Sequence, residues 1–381
     1  MDFSESRANQ MLREMCREFA VNEFMPRYEE AINTEEFPSW ITKRMGTLGL
    51  IGLTIPEKDG GNNMGHIAAA TAIEELAYWY PSLGTHLRGY RLTPQVLSLF
   101  GTKEQKERFM PGLISGDIMG SLATTEATGG SMPTVCATTA KKFGDRYIVN
   151  GSKVMITRGV ASNVLCISAR EGDQLHCLIV EKGMKGLSYG RRETMSGVNS
   201  INPVDEIFFE DMEVPVENRI GQEGKGLAPL LSGITIVGRL GGAASCLGMA
   251  RWAYETAKKY AKERYIGGKH RLVDQPTAGG LLAEMELELE AARYFTYRYA
   301  WLMDSGIPAR AIAKEGSMAK LTASQSAIHN CTKAIELHGG YGTTKEFKII
   351  GRLHSALDMM SAAGSDNIMR HNLALAQAAD E

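Results

Sequence analysis

The sequence predicts an α+β protein, mainly α, with a β domain between an N-terminal helical domain and a C-terminal four-helix bundle. Two changes of hydrophobic period support this prediction. Helical spacing gives way to short β-rich runs after about residue 117, and helical spacing returns after about residue 228. We therefore expect domains over residues 1–117, 118–228 and 229–381. The chain of 381 residues is long enough for two or three such units.

Helical patterns recur along the first domain. The segment ANQMLREMCREFAVNEFM places Met11, Met15 and Phe19 on one face at 3.6-residue spacing. The segment HIAAATAIEELAYWY repeats this pattern and stops at Pro81. A shorter helix is predicted over KEQKERFMPGLISG, where proline and glycine end it.

The middle domain is predicted to be a small antiparallel sandwich or barrel. In DRYIVNGSKVMIT, two β-rich runs flank Asn150-Gly151, a dipeptide that favours a tight hairpin turn. Further short strands are expected at NVLCISAR, HCLIVEK and DEIFFEDMEV, separated by glycine and acidic turns. This strand spacing is typical of a sandwich or barrel.

Three long helices are predicted in the last domain. They cover AASCLGMARWAYETAKKYAKERY, GGLLAEMELELEAARYFTYRYAWLMDSG and AIAKEGSMAKLTASQSAIHNCTKAIELHGG. Gly306 with Pro308 ends the second helix, and Gly339 with Gly340 ends the third. Long helices without coiled-coil heptads indicate a helical bundle.

Composition excludes several classes of protein. The net charge is −2 with no block of like charges, so we expect no nucleic-acid partner. We expect no membrane span, because no run of 18 apolar residues occurs, and a cytoplasmic protein, because the N-terminus has no secretory pattern. The six cysteines are scattered, which favours buried free thiols and predicts no metal site.

Four segments carry a more specific pattern: TTEATGGS, NGSKVMITRG, ERYIGGKHRLVDQP and ELHGGYG. In the first, glycine allows close backbone approach, and serine and threonine can donate to phosphate or ring oxygens. In the third, the arginine fork suits a pyrophosphate. In their order and separations these segments resemble the acyl-CoA dehydrogenase family.

That resemblance implies an FAD-dependent homotetramer acting on an acyl-CoA thioester. An electron-transferring flavoprotein would be the partner if the reaction is oxidative. In the family, the arginine and glutamine of the third segment reach the flavin nucleotide of a neighbouring subunit. The residues that align with cofactor-binding positions are Ala123, Thr125, Gly130, Ser131, Met155 (usually Trp), Ile156, Thr157, Arg264, Gln275, Glu336, His338, Gly339, Gly340 and Ser365.

The family's catalytic base is absent from both of its usual positions. The reaction removes a proton alpha to the thioester, which requires a positioned carboxylate. Counting from GGYG, the first position is Ala363; the second, next to the aligned Arg239, is Gly238. One hypothesis is alpha,beta-dehydrogenation with a relocated base, for which His86, Asp358 and Asp366 are candidates.

Two other hypotheses need no base. Decarboxylation or desulfination leaves the electron pair on carbon, and such a substrate carries an additional anion that needs a cationic partner. Arg88, Tyr90 and Arg91 lie where the family recognises the acyl chain, and Arg239 is a further substrate-binding candidate. If the segment is helical, Arg88 and Arg91 share a face. The third hypothesis is a non-catalytic subunit that binds flavin or acyl-CoA.

Overall fold

The computed structural model describes residues 4–28, 38–132, 134–193, 195 and 201–379. Helices come first along the chain. Ser6 caps the first helix by accepting from the backbone of Asn9, and Thr102 with Gln105 forms a capping box on the sixth. The N-terminal helices are α1 (Arg7–Glu18, continued by a π turn, Phe19–Phe24), α2 (Ser39–Thr47), α3 (His66–Trp79), α4 (Pro81–Tyr90), α5 (Leu92–Phe100) and α6 (Lys103–Ser115).

A seven-stranded sheet follows. Most neighbours are antiparallel, as expected, but β1 and β2 both pair with β4 in parallel, so the sheet is mixed. The strand order is β1-β4-β2-β3-β7-β6, and β5 pairs with β4. The strands are β1 (Gly120–Ala123), β2 (Thr139–Phe143), β3 (Arg146–Thr157), β4 (Val164–Glu171), β5 (Gln174–Glu181), β6 (Leu187–Glu193) and β7 (Val204–Pro215).

The hairpin predicted at Asn150-Gly151 is wrong. Both residues lie inside the continuous strand β3, and the β2–β3 hairpin turns instead between Phe143 and Arg146. The side chain of Asn150 makes both bonds: its Nδ2 donates to Asp211 Oδ1 on β7 at 3.0 Å, and its Oδ1 accepts from the backbone N–H of Asp211 at 2.8 Å. Gly151, at a φ of +144°, follows a register shift in the β3–β7 ladder. The turn-forming dipeptide therefore makes a β-bulge.

The last part of the chain is helical again. A two-stranded ribbon, β8 (Tyr265–Ile266) with β9 (His270–Arg271), separates the first long helix from the second. The helices are α7 (Leu227–Ser232), a π segment (Gly233–Arg239), α8 (Leu240–Glu263), α9 (Pro276–Asp304), α10 (Ala313–His338), α11 (Ile349–Asp358) and α12 (Asp366–Ala379).

Helix α8 joins the two helical regions into one core. It packs against α10 and α9 on one side and against α3 and α4 on the other. The backbones approach so closely that a Cβ built on Gly248 would overlap the carbonyl oxygen of Glu74. The adjacent carboxylates of Glu74 and Glu75 form buried ion pairs with Arg251 at 3.1 and 2.6 Å. N-terminal and C-terminal helices therefore stabilise each other.

One helical stretch, Leu227–Glu263, is long and apolar enough to cross a membrane by length and composition alone. Within it, 67% of the most apolar window is buried inside the protein. A core helix of a bundle has the same properties.

Replacing Gly248 with alanine tests the close contact between α8 and α3. We expect the free energy of unfolding to fall by about 2 kcal/mol, because the added methyl group has no space. Gly280→Ala is the matched control: a Cβ there meets nothing within 4 Å, so helix propensity should stabilise by up to about 1 kcal/mol. Denaturant unfolding measures both changes, and equal midpoints for the two variants would contradict the contact.

Candidate active site

The two positions from which the family's base is missing lie side by side. A Cβ built on Gly238, in the π segment, would be 3.3 Å from the Cβ of Ala363. A Cβ on Gly242 would be 4.0 Å from the same atom. Ala363 has a φ of +57°, a left-handed conformation that is strained for a residue with a side chain. The structure therefore forms one small-residue surface where the sequence has two separate gaps.

Asp366 is a poor candidate for the base. Its carboxylate is buried and lies 2.6 Å from the ammonium of Lys320, and it also accepts from Ser324 and from Gln325. These bonds fix the start of α12. Asp358, the other acidic candidate, is half-buried at the end of α11, one residue before Met359. Met359 Cε is 3.4 Å from a Cβ built on Gly242, which places the end of α11 beside the small-residue surface.

His86 is enclosed by other side chains. Its Nε2 lies 2.9 Å from the hydroxyl of Thr42, and its Nδ1 lies 3.1 Å from both Asn202 Oδ1 and Arg158 Nη1. Burial, and then the charge of Arg158, lower the pKa of His86 well below its ordinary value. The imidazole is therefore neutral and engaged at both nitrogens, which does not suit a base that must reach substrate.

Tyr90 and Arg91, two of the predicted substrate contacts, are buried and hydrogen-bonded within the fold. The hydroxyl of Tyr90 donates to the carbonyl of Ile118, and its ring is fully buried beside His86. Arg91 is buried at the end of α4 and donates through Nη2 to the hydroxyl of Thr54 at 2.6 Å. Sequence spacing predicted that Arg88 and Arg91 share a helix face. The helix ends at Tyr90, however, and Arg91 is bound by Thr54, which precedes α3.

Arg88 and Arg239 remain candidates for substrate contact. Both side chains are half-buried, and the Nε atom of each is buried without a hydrogen-bond partner among the residues that the structure describes. The Arg88 side chain crosses Gly241 of α8, where a Cβ would lie 2.5 Å from its Cγ. Arg239 directly follows Gly238 at the end of the π segment. Each arginine is therefore linked to the helix that carries Gly238 and Gly242, Arg88 by contact and Arg239 by adjacency in the chain.

Sequence reasoning did not select Arg158. This arginine is 1% exposed and directly follows the predicted flavin strand, at a left-handed φ of +59°. Its Nη1 donates to Asn202 Oδ1 at 3.0 Å and to the carbonyl of His86 at 3.3 Å. The usual family residue there is asparagine, so the departure ITRG in place of ITNG was the only signal available.

A buried ion pair fixes the turn predicted to contact flavin. Lys153 Nζ lies 2.5 Å from Glu126 Oε1, and the Glu126 carboxylate also accepts from the backbone of Ala137 and Thr138. The turn itself is open: Thr125 is half-buried, whereas Gly130 and Ser131 are exposed. The Glu126 carboxylate thus fixes the buried side of the turn, while the exposed side of the turn stays accessible.

The residues of β3 that are predicted to lie along the flavin ring differ in their exposure to solvent. Met155 has a φ of +56° and is 49% exposed, within a register shift of the β3–β7 ladder. Thr157 is half-buried. The side chains of Ile156 and Ala123 are buried in the β-domain core, so only their backbones could contact a cofactor.

A surface cavity of about 630 Å³ brings together five residues predicted to bind the cofactor. It lies between the end of α8 and the end of α10, which are far apart in sequence. His338 donates from Nδ1 to the carbonyl of Ala334 at 2.7 Å and stacks on Tyr260. Its Nε2 is a buried acceptor without a partner among the described residues. The five predicted residues in the lining are Arg264, Glu336, His338, Gly339 and Gly340.

This cavity fits a nucleotide. The unpartnered His338 Nε2 can accept a hydrogen bond, and a Cβ built on Gly339 or Gly340 would meet nothing within 4 Å, which leaves the backbone open to a ligand. Gln275 lies outside this lining and begins α9, while the Ser365 hydroxyl accepts from the backbone of Ile368 and begins α12. In the described part of the chain, no group of three His, Cys, Asp or Glu residues could hold a metal.

Three family models cover most of the chain. They are the N-terminal domain of acyl-CoA dehydrogenase over residues 6–117, its middle domain over 121–212 and its C-terminal domain over 224–377. The fold and the open cavity at His338 agree with this class of flavin-dependent oxidoreductase.

Individual proteins agree with the family models. A short-chain specific acyl-CoA dehydrogenase of Clostridium acetobutylicum is 36% identical, with 92% of each chain covered. The CarC subunit of the caffeyl-CoA reductase–Etf complex of Acetobacterium woodii is also 36% identical, again with 92% of each chain covered. The solved butyryl-CoA dehydrogenase of Megasphaera elsdenii superposes with a TM-score of 0.92 at 28% identity, covering 99% of this chain and 100% of that one.

This chain belongs to the acyl-CoA dehydrogenase family. It is a flavin-dependent oxidoreductase that acts on the CH–CH group of an acyl-CoA thioester. The names of its relatives are those of dehydrogenases and reductases, so base-free cleavage and a non-catalytic subunit are not favoured. The family is generally FAD-dependent.

Acid stability tests the anchor beneath the flavin turn. Although burial alone would raise the pKa of Glu126, bonds from Lys153, Thr138 and Ala137 lower it to about 2. A lowered folded-state pKa contributes stability above the unfolded value of about 4.3, and that stability is lost as pH falls from there towards 2. We expect Glu126→Gln to lower the free energy of unfolding at pH 7 by about 3 kcal/mol and to flatten its pH dependence below pH 5.

Urea unfolding at pH 7, 5 and 3 measures this effect. Glu210→Gln, at an exposed position on β7, is the control and should change stability by less than about 0.5 kcal/mol. An unchanged acid slope in Glu126→Gln would show that the buried pair does not anchor the turn.

Proposed function

We propose that this protein binds one FAD per subunit and works as a cytoplasmic homotetramer that exchanges electrons with an electron-transferring flavoprotein. The cavity lined by Arg264 and His338 carries the cofactor part of this proposal, because it joins residues from two distant helices around His338 Nε2, an acceptor without a partner in the described part of the chain. Support for the electron partner comes from the relative named as a subunit of a reductase–Etf complex.

The proposed cofactor contacts divide into two groups. Thr125, Gly130 and Ser131 would donate to the flavin and its pyrophosphate, and Met155 to Thr157 would lie along the ring, together with the backbone of Ala123. The second group, Arg264, Gln275 and Glu336 to Gly340, would contact the nucleotide of a neighbouring subunit. Ser365 would line the flavin end of the acyl pocket. When bound, FAD would accept the hydride that leaves the beta carbon of the substrate.

The acyl pocket would be bounded by the glycines of α8 and by Ala363. Small residues there leave space near the reacting carbons, since Gly238 and Ala363 together contribute a single methyl group. Arg88 and Arg239 border this space and would contact the substrate. The Nε atom of each is buried without a partner among the described residues, which supports that role because buried donors are normally hydrogen-bonded.

Among the three candidates for the relocated base, we propose Asp358 on its position in the fold. Asp358 ends α11 next to Met359, which contacts the small-residue surface. We propose that its carboxylate takes up the alpha proton in dehydrogenation and returns it in the reverse direction.

The oligomer is supported by an apolar stripe on α9. Leu287, Tyr294 and Trp301 are 72%, 56% and 55% exposed and recur every seven residues, which places them on one face of the helix. Large exposed apolar side chains in a row mark a surface that another protein covers. A second copy of this chain is the proposed partner.

Anaerobic mixing with saturated acyl-CoA thioesters tests the reaction and its base. The flavin absorbance of the wild type should fall, because hydride leaves the substrate. In Asp358→Asn we expect the rate of this change to drop by about 100-fold or more, with binding retained, since general-base catalysis contributes about that much. Adding Ala363→Glu to the Asp358→Asn variant should restore the rate of flavin reduction by supplying a carboxylate at the family position.

Asp173→Asn is the control for the base, since Asp173 lies fully exposed in the turn between β4 and β5. An unchanged rate in Asp358→Asn would remove that residue from the mechanism. Absence of any flavin change with every thioester would contradict the oxidoreductase reaction itself.

Charge on the apolar stripe tests the oligomer. Tyr294→Asp combined with Trp301→Asp should lower the mass measured by light scattering from that of a tetramer to a dimer or monomer, because charges would be buried at the interface. Phe143→Asp is the matched control on β2, where the side chain is 76% exposed, and should leave the mass unchanged. A wild-type monomer would contradict the proposal.

A further inference from the structure

The helix that carries Gly238 contains one widened turn. Residues Leu227–Glu263 form a single continuous helix, and within it the segment Gly233–Arg239 has π geometry. A π turn pairs each carbonyl with the residue five positions on, so it holds one residue more than the α turn that it replaces. Such turns are rare and occur mostly at functional sites, which indicates that surrounding contacts must stabilise them.

The phenol of Tyr299 supplies such a contact. Its hydroxyl donates to the carbonyl of Thr235, inside the π segment, at 3.0 Å. The side chain is fully buried on α9, and burial raises its pKa to about 12 although the charge of Arg239 opposes this. The hydroxyl therefore stays protonated at neutral pH and remains a donor to the π segment.

A glycine on α10 makes room for this hydrogen bond. A Cβ built on Gly316 would lie 2.7 Å from the Cζ atom of Tyr299 and 2.9 Å from its hydroxyl oxygen. A side chain at this position would therefore push the ring away from Thr235. The contact between Tyr299 and the π segment is thus built by two helices, α9 and α10.

The extra residue of the π turn sets the directions of the glycines on either side of it. Gly233, at the start of the segment, packs against α5, where its Cβ would be 2.9 Å from Val96. Gly238, near the end of the segment, faces Ala363 at 3.3 Å between Cβ positions. Consecutive residues of an α-helix are rotated by about 100°, so relaxation of the turn to α geometry would rotate one of these faces against the other by about that angle. Both contacts therefore depend on the widened turn.

The opposite side of the small-residue surface is fixed by a different residue. Lys320, on α10, donates to the carbonyl of Met360 at 3.2 Å and to the carboxylate of Asp366 at 2.6 Å. These bonds hold both ends of the loop that carries Ala363. A change at Tyr299 should consequently move the π segment and leave the loop in place.

We propose that Tyr299 is a positioning residue for the acyl pocket: its bond to Thr235 holds the widened turn that keeps Gly238 against Ala363 and leaves space for the reacting carbons. This inference rests on the proposed function and adds a residue to that site. Tyr299 acts through the backbone of the π segment and not by touching the substrate. Loss of the bond should therefore change the orientation of the reacting carbons more than the binding of coenzyme A.

Removing the hydroxyl of Tyr299 in the holoenzyme tests this role. The thioester is the one among butyryl-, hexanoyl- and octanoyl-CoA that reduces the wild-type flavin fastest. In Tyr299→Phe, which keeps the ring, we expect the rate of flavin reduction at saturation to fall by at least about 10-fold, since a misplacement of about 1 Å can cost about 100-fold. The matching 2-enoyl-CoA, titrated by its effect on the flavin spectrum, should bind within about threefold of the wild type.

Hydrogen exchange followed by mass spectrometry reports on the π segment without any reaction. Peptides that cover Gly233–Arg239 should exchange about 5- to 10-fold faster in Tyr299→Phe, because the segment loses a tertiary hydrogen bond. Tyr147→Phe is the matched control: this tyrosine is also fully buried, and its hydroxyl accepts from Arg219 in the β domain at 2.9 Å. The control should leave both the rate of flavin reduction and the exchange of the π segment unchanged.

Gly316→Ala tests the same bond from the other helix. The added methyl group should displace the ring of Tyr299 and lower the rate of flavin reduction as Tyr299→Phe does. The double variant should stay within about threefold of the slower single variant, because both changes remove one hydrogen bond. Losses that multiply would contradict a shared cause. Wild-type flavin reduction in Tyr299→Phe would overturn the proposal, as would slower reduction without faster exchange in the π segment.

The wild-type flavin spectrum separates this inference from the function on which it rests. If a thioester reduces the flavin of the wild type and of Tyr299→Phe equally fast, the positioning role is wrong and the oxidoreductase stands. If no thioester reduces the wild-type flavin, the proposed function is wrong, and the role of Tyr299 with it.

Discussion

The close approach of α8 to the N-terminal helices is the constraint on which the rest of the structure depends. Glycine makes this approach possible at two positions along α8. Gly248 lets the backbone touch α3 beside Glu74, and Gly241 lets Arg88 pass across the interface. The first contact joins N-terminal and C-terminal helices into a single core, and the second seats the Arg88 side chain against α8.

Buried charges near that interface differ in whether the protein itself supplies their partners. Glu74 and Glu75 are surrounded by Arg13, Arg251 and Arg293, so that the carboxylates are compensated inside the protein. Desolvation alone would raise the pKa of Glu74, but these arginines lower it. Around Arg88 the described structure offers no such compensation. The first arrangement stabilises the fold, whereas the second leaves a charge that a ligand can satisfy.

The candidate site combines a surface predicted to bind the cofactor with a surface that lacks the family's base. Glu126 and Lys153 pair beneath the turn predicted to contact flavin, and His338 Nε2 in the cavity has no partner among the described residues. Gly238 and Ala363, in contrast, bring no proton acceptor to the point where they meet. Because these surfaces are built on different elements, the catalytic residues can change without disturbing the residues that face the cofactor.

The sequence by itself determined the three-part fold, the family and the two empty base positions, because hydrophobic period and motif spacing are local properties of the chain. Tertiary structure decided the rest. Asn150 became part of a bulge because Asp211 on another strand binds its side chain, which no local turn preference reports. Arg91 is held by Thr54, while Arg158 packs on Gly89, since only packing brings residues that are distant in sequence into contact. Burial and partnership of charges are properties of the assembled core.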